Sequence, residues 1–394
     1  MPKTDMGGVL ARWMLARDES VRSSVIEGVG STADGLAWAR YREQTGQPVT
    51  DANEALTLGA SRQLAAAVDL GEQLRNGRPC TADDILSLHA ALFEDTQERD
   101  LGGALREEPI WIGPADCLIE EATFVPPPPE YVPDLAEDLV GYLNTSDHPA
   151  VLQAAVAHAQ FETVHPFEDG NGRTGRALVH TVLNARGLVD GAIPISAALE
   201  RDRADYYESL NATRVVCDAN DSAARSQGFA PWMDVFGAAC EEAHAQATVT
   251  VRAVEEMASG WEQKSRFRSD SAAASLMRLL PSMPILDAEM IADRLGVSRR
   301  VGRTALNALA KAGIVTPVGG RRNARFAVPE MVSVLRRMNP DGAVPAGSPS
   351  MSRPATDAER SPSTLLPTKC GFRGPRSQRP CVLARGHAGQ HRYQ

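Results

Sequence analysis

The stretch His165-Pro-Phe-Glu-Asp169-Gly170-Asn171-Gly172-Arg173-Thr-Gly-Arg176 decides how this chain reads. Glycines at 170 and 172 remove the Cβ atoms that would keep a ligand away from backbone N–H groups. Leu178, Val179, Val182 and Leu183 then recur at helical spacing, so a helix is expected to begin near Asn171 or Gly172, with Gly187 as its stop. Its first free N–H groups and the positive end of its dipole face the loop. Arg173 and Arg176 fall in the first turn, on nearly one face. Cations at that end of a helix cost a few tenths to about 1 kcal/mol each. A polyanion bound there reverses the sign, and guanidinium forks match phosphate oxygens in bidentate geometry. Asp169 is the hard oxygen ligand a phosphate-bound Mg²⁺ takes. His165, entering the loop, is the residue type suited to general-base work near neutrality. Taken singly, each residue also has a plain structural reading. Taken together, that reading leaves two arginines unexplained at the wrong helix end.

Outward from this stretch the chain reads as mainly α. Pro149–Thr163 is expected to be a long helix with Leu152, Val156, Ala159 and Thr163 on one face. Ile110–Gly113 and Ala122–Val125, the second closed by four prolines, read as the limbs of a short β-hairpin. Residues 1–75 read as helices around the turn SSVIEGVGST, and residues 76–260 as a larger helical body. Residues 265–338 read as three helices and a hairpin, with Ser298 as the N-cap of the helix that carries Arg299, Arg300 and Arg303. Gly319–Asn323, with Arg321 and Arg322, would be the hairpin turn, and Arg325 would add to its charge. Residues 339–369 are rich in Pro, Ser, Ala and Gly and read as a flexible linker to a Cys/His tail, 370–394.

Charge separates these parts. The whole chain carries a net −9, yet Lys264–Arg337 holds 14 Lys/Arg against 5 Asp/Glu, a surplus of +9 that leaves −18 on the remainder. A basic module on an acidic body suggests two jobs. No apolar run approaches the ~20 residues of a membrane helix, and charges interrupt the N-terminus too early for a signal peptide. A cytoplasmic protein is expected, with Cys80, Cys117, Cys217 and Cys240 as single reduced thiols. In the tail, Cys370, Cys381, His387 and His391 supply two thiolates and two imidazoles for a structural Zn²⁺, against the alternative of a disordered basic tail.

Residues His165–Arg176 resemble the complete signature of the Fic family, H-P-F-x-[D/E]-G-N-G-R-x-x-R, without departure. The resemblance extends over roughly residues 1–260, including Phe161-Glu162 and Tyr206–Leu210. It implies a helical Fic fold and transfer of AMP from ATP to a Tyr, Ser or Thr hydroxyl of a target protein. In that family His165 would be the base and Asp169 would hold Mg²⁺. Gly170, Asn171 and Gly172 would form the anion nest, Arg173 and Arg176 would grip the distal phosphates, and Phe167 would anchor the loop. Tyr207 and Asn211 would lie at the base pocket. The hairpin, with Trp111 and Phe124, would be a flap that aligns the target by strand addition. Ser23-Ser-Val-Ile-Glu27-Gly28 resembles the family's inhibitory helix, in which Glu27 would pair with Arg176.

Residues 265–338 resemble a winged helix-turn-helix domain, which implies DNA contacts from Arg299, Arg300, Arg303, Arg321 and Arg322. Dimerisation, giving a homodimer, or target docking are the other roles open to it. Two further functional readings stay open: a DNA-binding regulator that uses the Fic core as a nucleotide sensor, and an enzyme that both transfers and removes AMP.

Overall fold

The computed structural model describes residues 6–113, 117–145, 147–215, 221–265, 267–318, 324–338 and 350–352. Three helices open the chain: α1 (Met6–Ile26), α2 (Ala33–Gln44) and α3 (Ala52–Arg75). Thr32 and Asp51 cap α2 and α3 by accepting the N–H of Gly35 and Glu54. Then follow α4 (Ala82–Phe93), the strand β1 (Trp111–Gly113), α5 (Val132–Leu143), α6 (Ala150–Val164) and α7 (Asn171–Ala185). Two short helices, α8 (Ile195–Arg201) and α9 (Arg203–Ala212), lead to the 43-residue α10 (Ser222–Lys264).

The pair α6–α7 lies at the centre. Of the α6 face read from the sequence, Ala159 is buried, whereas Leu152, Val156 and Thr163 are only partly so. Ala154, Ala155, Ala157, His158, Phe161 and Glu162 are buried instead. A helix surrounded by others buries small residues for close approach, and polar ones where neighbours supply hydrogen bonds. Trp232 of α10, fully buried, donates its indole N–H to the Ala155 carbonyl at 2.9 Å.

The remaining described elements are α11 (Ala272–Leu279), β2 (Ile285–Leu286), α12 (Ala288–Leu295), α13 (Arg299–Lys311), β3 (Thr316–Val318), β4 (Arg325–Ala327), α14 (Pro329–Met338) and β5 (Ser350–Ser352). Strands β2, β4 and β3 form an antiparallel sheet in that order. Gly296 in the left-handed region ends α12, and Ser298 caps α13. This module shares one hydrophobic core with the N-terminal half of α1 and the C-terminal half of α10: Leu10, Met14, Val254 and Trp261 pack with Leu276, Ile291, Leu306 and Phe326. The other ends of the same two helices enter the central core through Ile26, Trp232 and Phe236. Helices α1 and α10 therefore tie both cores together.

The expected hairpin is reduced. Its second limb makes a single bridge, Ile112–Phe124, because a 3₁₀ turn at Ile119–Glu121 and the prolines after Val125 limit the ladder. Within the stretch expected to be a linker, β5 pairs antiparallel with β1. The turn with Arg321 and Arg322, Cys217, and the tail residues Cys370, Cys381, His387 and His391 lie outside the described residues.

Leu306→Ala is expected to cost about 2–5 kcal/mol, the usual range for emptying a fully buried leucine site. Guanidinium denaturation measures it.

Candidate active site

Helix α6 ends on His165, whose N–H still bonds the Phe161 carbonyl at 2.8 Å while its own backbone turns left-handed, φ 49°. Among the described residues it is the one non-glycine with positive φ. Such a conformation costs on the order of 1–3 kcal/mol and persists only where the surroundings impose it. Arg106 imposes it here. Its Nε donates to the His165 carbonyl at 2.7 Å, and Nη2 donates to the carbonyls of Val164 at 3.3 Å and Pro127 at 2.5 Å. Its backbone N–H holds the Pro166 carbonyl at 3.0 Å. Burial lowers the Arg106 pKa to about 10, which leaves it a cation at neutral pH, at the helix end where a cation is favourable.

The loop beyond is closed from inside. The Asn171 side chain accepts the Phe167 N–H at 2.9 Å and donates to the Phe167 carbonyl at 2.8 Å. That amide is a staple, so its contribution to a ligand comes from the backbone. His89 of α4 stacks flat on Phe167, with centroids 3.7 Å apart. Its Nδ1 accepts the Gly103 N–H at 2.9 Å, so Nε2 carries the proton and donates to the Asp169 carbonyl, also at 2.9 Å. Burial pushes the His89 pKa down to about 4, in keeping with the neutral ring this pattern needs. On the open side, the Asp169 carboxylate is 47% exposed and 3.5 Å from Arg173.

Helix α7 starts on Gly170 at φ 77° and presents both arginines. The Arg173 side chain is 2% exposed, yet its Nε and Nη1 have no hydrogen-bond partner among the described residues. Buried donors of a charged group left without acceptors are costly, and an anion would satisfy them. Arg176 is satisfied from α1. Its Nε donates to Ser23 Oγ at 2.9 Å, and Nη2 donates to the Ser23 carbonyl at 2.8 Å and Glu27 Oε1 at 2.7 Å. Burial alone would weaken this cation, but the charge of Glu27, helped by Tyr206 and Tyr207, outweighs it and raises its pKa. The Glu27 carboxylate also lies on the helix start itself: a Cβ at Gly172 would stand 2.0 Å from Glu27 Oε1. Only glycine leaves room there for an anionic oxygen.

Several contacts hold Glu27 in place. Gly28, at φ 82°, ends α1. Upstream on the same helix, buried Glu19 accepts from the N–H and Oγ of Ser196 at 2.8 and 2.6 Å, and its Oε1 lies 3.1 Å from Nε2 of buried His180. Arg22 pairs with Glu200 at 2.9 Å. From α9, the Tyr207 hydroxyl reaches the Ile26 carbonyl at 3.5 Å, and Asn211 accepts from Arg214. Arg214 lies 3.6 Å over the Phe124 ring and donates to the Glu162 carbonyl at 3.1 Å, which joins the β1 region to the end of α6.

The structure thus brings together His165, Asp169, Gly170, Asn171, Gly172, Arg173 and Arg176 with Ser23, Glu27 and Gly28, and sets Tyr207 and Asn211 alongside. Arg299, Arg300 and Arg303 are exposed on α13 in the C-terminal module. Arg325 turns inward instead of charging the surface, lying over Trp38 and Tyr41 and donating to the Tyr41 hydroxyl. Sequence reasoning missed His89, Arg106 and His158. A lone histidine in a helix and a lone arginine in a loop carry no spacing signal; His89 and Arg106 meet backbone groups far along the chain, and His158 meets the Tyr206 hydroxyl.

Residues 79–183 match the model of the Fic/DOC family. Over 132 residues the chain is 33% identical to protein adenylyltransferase fic-1 of Caenorhabditis elegans, which covers 33% of this chain and 23% of that protein. Over 163 residues it is 32% identical to a probable protein adenylyltransferase of Aquifex aeolicus, covering 34% of this chain and 51% of the relative. The alignments therefore span about half or less of these relatives' own length. A solved Fic domain containing signaling protein from Bacteroides thetaiotaomicron is 20% identical, with 63% of this chain and 91% of that one covered at a TM-score of 0.49. No helix among the described residues is long and apolar enough to cross a membrane.

Glu27→Gly is expected to strengthen binding of inorganic tripolyphosphate by about 10- to 100-fold, the worth of one charge-assisted contact that no longer competes. Titration calorimetry on wild type and variant measures it.

Proposed function

We propose, for a chain whose residues 79–183 are a Fic/DOC-family domain, that it transfers AMP from ATP to a Tyr, Ser or Thr hydroxyl of a protein and is held back by its own Glu27. One observation carries this reading. A carboxylate of the same chain touches the first turn of α7 at Gly172 and pairs with Arg176, beside an Arg173 whose buried donors lack acceptors. A site that already holds one anionic group, with cationic capacity left over, suits a polyphosphate. Inhibition follows from overlap, since a γ-phosphate and the Glu27 carboxylate would compete for the same guanidinium.

The steps assigned to the chain's own residues are few. His165 takes the proton of the acceptor hydroxyl, whose oxygen attacks the α-phosphorus. The bond from that phosphorus to the bridging oxygen breaks, and pyrophosphate leaves with its charge held by Arg173, Arg176 and the N–H groups of 170–172. The edge of β1 that β5 covers would register the target segment by main-chain pairing once β5 is displaced from it. Asp169 fits a Mg²⁺ that arrives with the nucleotide: its carboxylate is half-exposed, and Mg²⁺ commonly combines one or two carboxylates with phosphate oxygens and water. When bound, the ion would neutralise phosphate charge.

A second reading, a DNA-binding regulator that senses nucleotide, is favoured by exposed Arg299, Arg300 and Arg303 at the start of α13, after a helix–turn–helix passage through α12. A salt-dependent gel shift lost on replacing those arginines, together with absence of transfer, would select it over the enzyme.

With α-labelled ATP and Mg²⁺, the Glu27→Gly protein should label itself or a lysate protein faster than wild type, and His165→Ala in that background should remove the label. Equal labelling of Glu27→Gly and wild type would refute inhibition, and label that survives His165→Ala would refute the assigned base.

A further inference from the structure

We infer that Glu162 is a positioning residue for His165: its buried carboxylate accepts the Nδ1–H of the imidazole and fixes the tautomer in which Nε2 is the proton acceptor. The inference rests on the transferase reading for its consequence, but its geometry stands alone. Glu162 and His165 are three residues apart at the end of α6, and Nδ1 lies 3.5 Å from Glu162 Oε2. Nδ1 is also 3.3 Å from the Glu162 backbone carbonyl. Both neighbours are acceptors, so the proton belongs on Nδ1.

The Glu162 side chain is 10% exposed, and burial by itself would raise its pKa. The hydrogen bond from His165, with the neighbouring imidazoles and the Arg176 cation, overrules burial and lowers the value to about 2. The group is thus a buried anion, which proteins keep only where something is gained from the charge. Here the gain appears when His165 takes a proton. A carboxylate beside imidazole becomes a carboxylate beside imidazolium, an interaction stronger in the transition state than before it.

The far oxygen of the carboxylate, Oε1, has no hydrogen-bond partner among the described residues and faces His158. A Cβ at Gly175 would stand 2.8 Å from Glu162 Oε1 and 3.1 Å from His158 Nδ1, so these two atoms converge over a position that must be glycine. His158 Nε2 lies 2.8 Å from the Tyr206 hydroxyl, which receives the Arg176 Nη1–H at 3.4 Å. Burial lowers the His158 pKa and raises that of Tyr206, so both are neutral links. Arg176, Tyr206 and His158 thus form a hydrogen-bonded row that ends beside the Glu162 carboxylate.

The test uses the full chain in the Glu27→Gly background, with Glu162→Met, Glu162→Gln and their parent, and thermal melts to verify folding. Single-turnover transfer from α-labelled ATP should fall about 10²-fold or more in Glu162→Met, within the range that general-base catalysis contributes. Glu162→Gln, which keeps an acceptor oxygen but no charge, should lie between, and KM for ATP should change by less than about twofold because no phosphate contact is lost. In parallel, ¹⁵N NMR of the His165 ring should show the Nδ1–H tautomer in the parent and a mixture in Glu162→Met. If Glu162→Met does not fold, Gly175→Ala, whose Cβ strikes Oε1, should act in the same direction. Parental rate and an unchanged tautomer in Glu162→Met would overturn the inference, because the backbone carbonyl would then suffice. If the parent transfers no label, the transferase reading fails while the tautomer measurement still decides Glu162.

Discussion

Two buried guanidinium groups at the positive end of α7 are the constraint that the rest of this structure answers. A helix N-terminus repels cations, and burial removes the water that would screen them. Left alone, Arg173 and Arg176 would destabilise the helix that carries them. Arg176 is neutralised by Glu27 and hydrogen-bonded by Ser23, so the last turn of α1 has a fixed place on α7. Arg173 keeps two donors without acceptors among the described residues. One arginine is thus occupied by the chain itself while its neighbour stays available to a ligand. The difference makes physical sense if the anion on Arg176 is meant to be exchanged.

The position of α1 has a consequence for the whole molecule. Its C-terminal turn lies on α7, while Leu10 and Met14, near its start, belong to the core of the C-terminal module. Helix α10 makes the same bridge through Trp232 and Trp261. Packed interiors resist continuous deformation, so a displacement of the C-terminal module bears on the helix that carries Glu27. Tyr41 and Arg325 add polar contacts between α2 and the same module. An Arg325 turned inward serves that contact and not the exposed basic face.

Around His165 the arrangement is one of imposed geometry. Arg106 holds three carbonyls at the end of α6 and at Pro127, and Asn171 ties the loop to Phe167. His89 fixes the Asp169 carbonyl from beneath. Each of these is a side chain satisfying backbone groups that a left-handed helix end and a tight loop leave unpaired. The loop is consequently closed by hydrogen bonds from the chain's own side chains.

The sequence by itself determined the helical class, the start of α7 near Asn171, its stop at Gly187, and the gathering of His165, Asp169, Arg173 and Arg176, because these follow from spacing between near neighbours along the chain. It also placed Ser23, Glu27 and Gly28 in one helix-ending motif, since a terminal glycine in the left-handed region is a local matter. Only the tertiary structure decided which face of α6 is buried, that α1 spans two cores, that the second limb of the hairpin is a single bridge, and that Arg325 turns inward. The same holds for His89, Arg106 and the row from Arg176 to Glu162. Those contacts join residues tens of positions apart, often to backbone atoms that every residue possesses. Periodicity reports what a segment does with its own neighbours, and it is silent on which distant group will meet a buried charge.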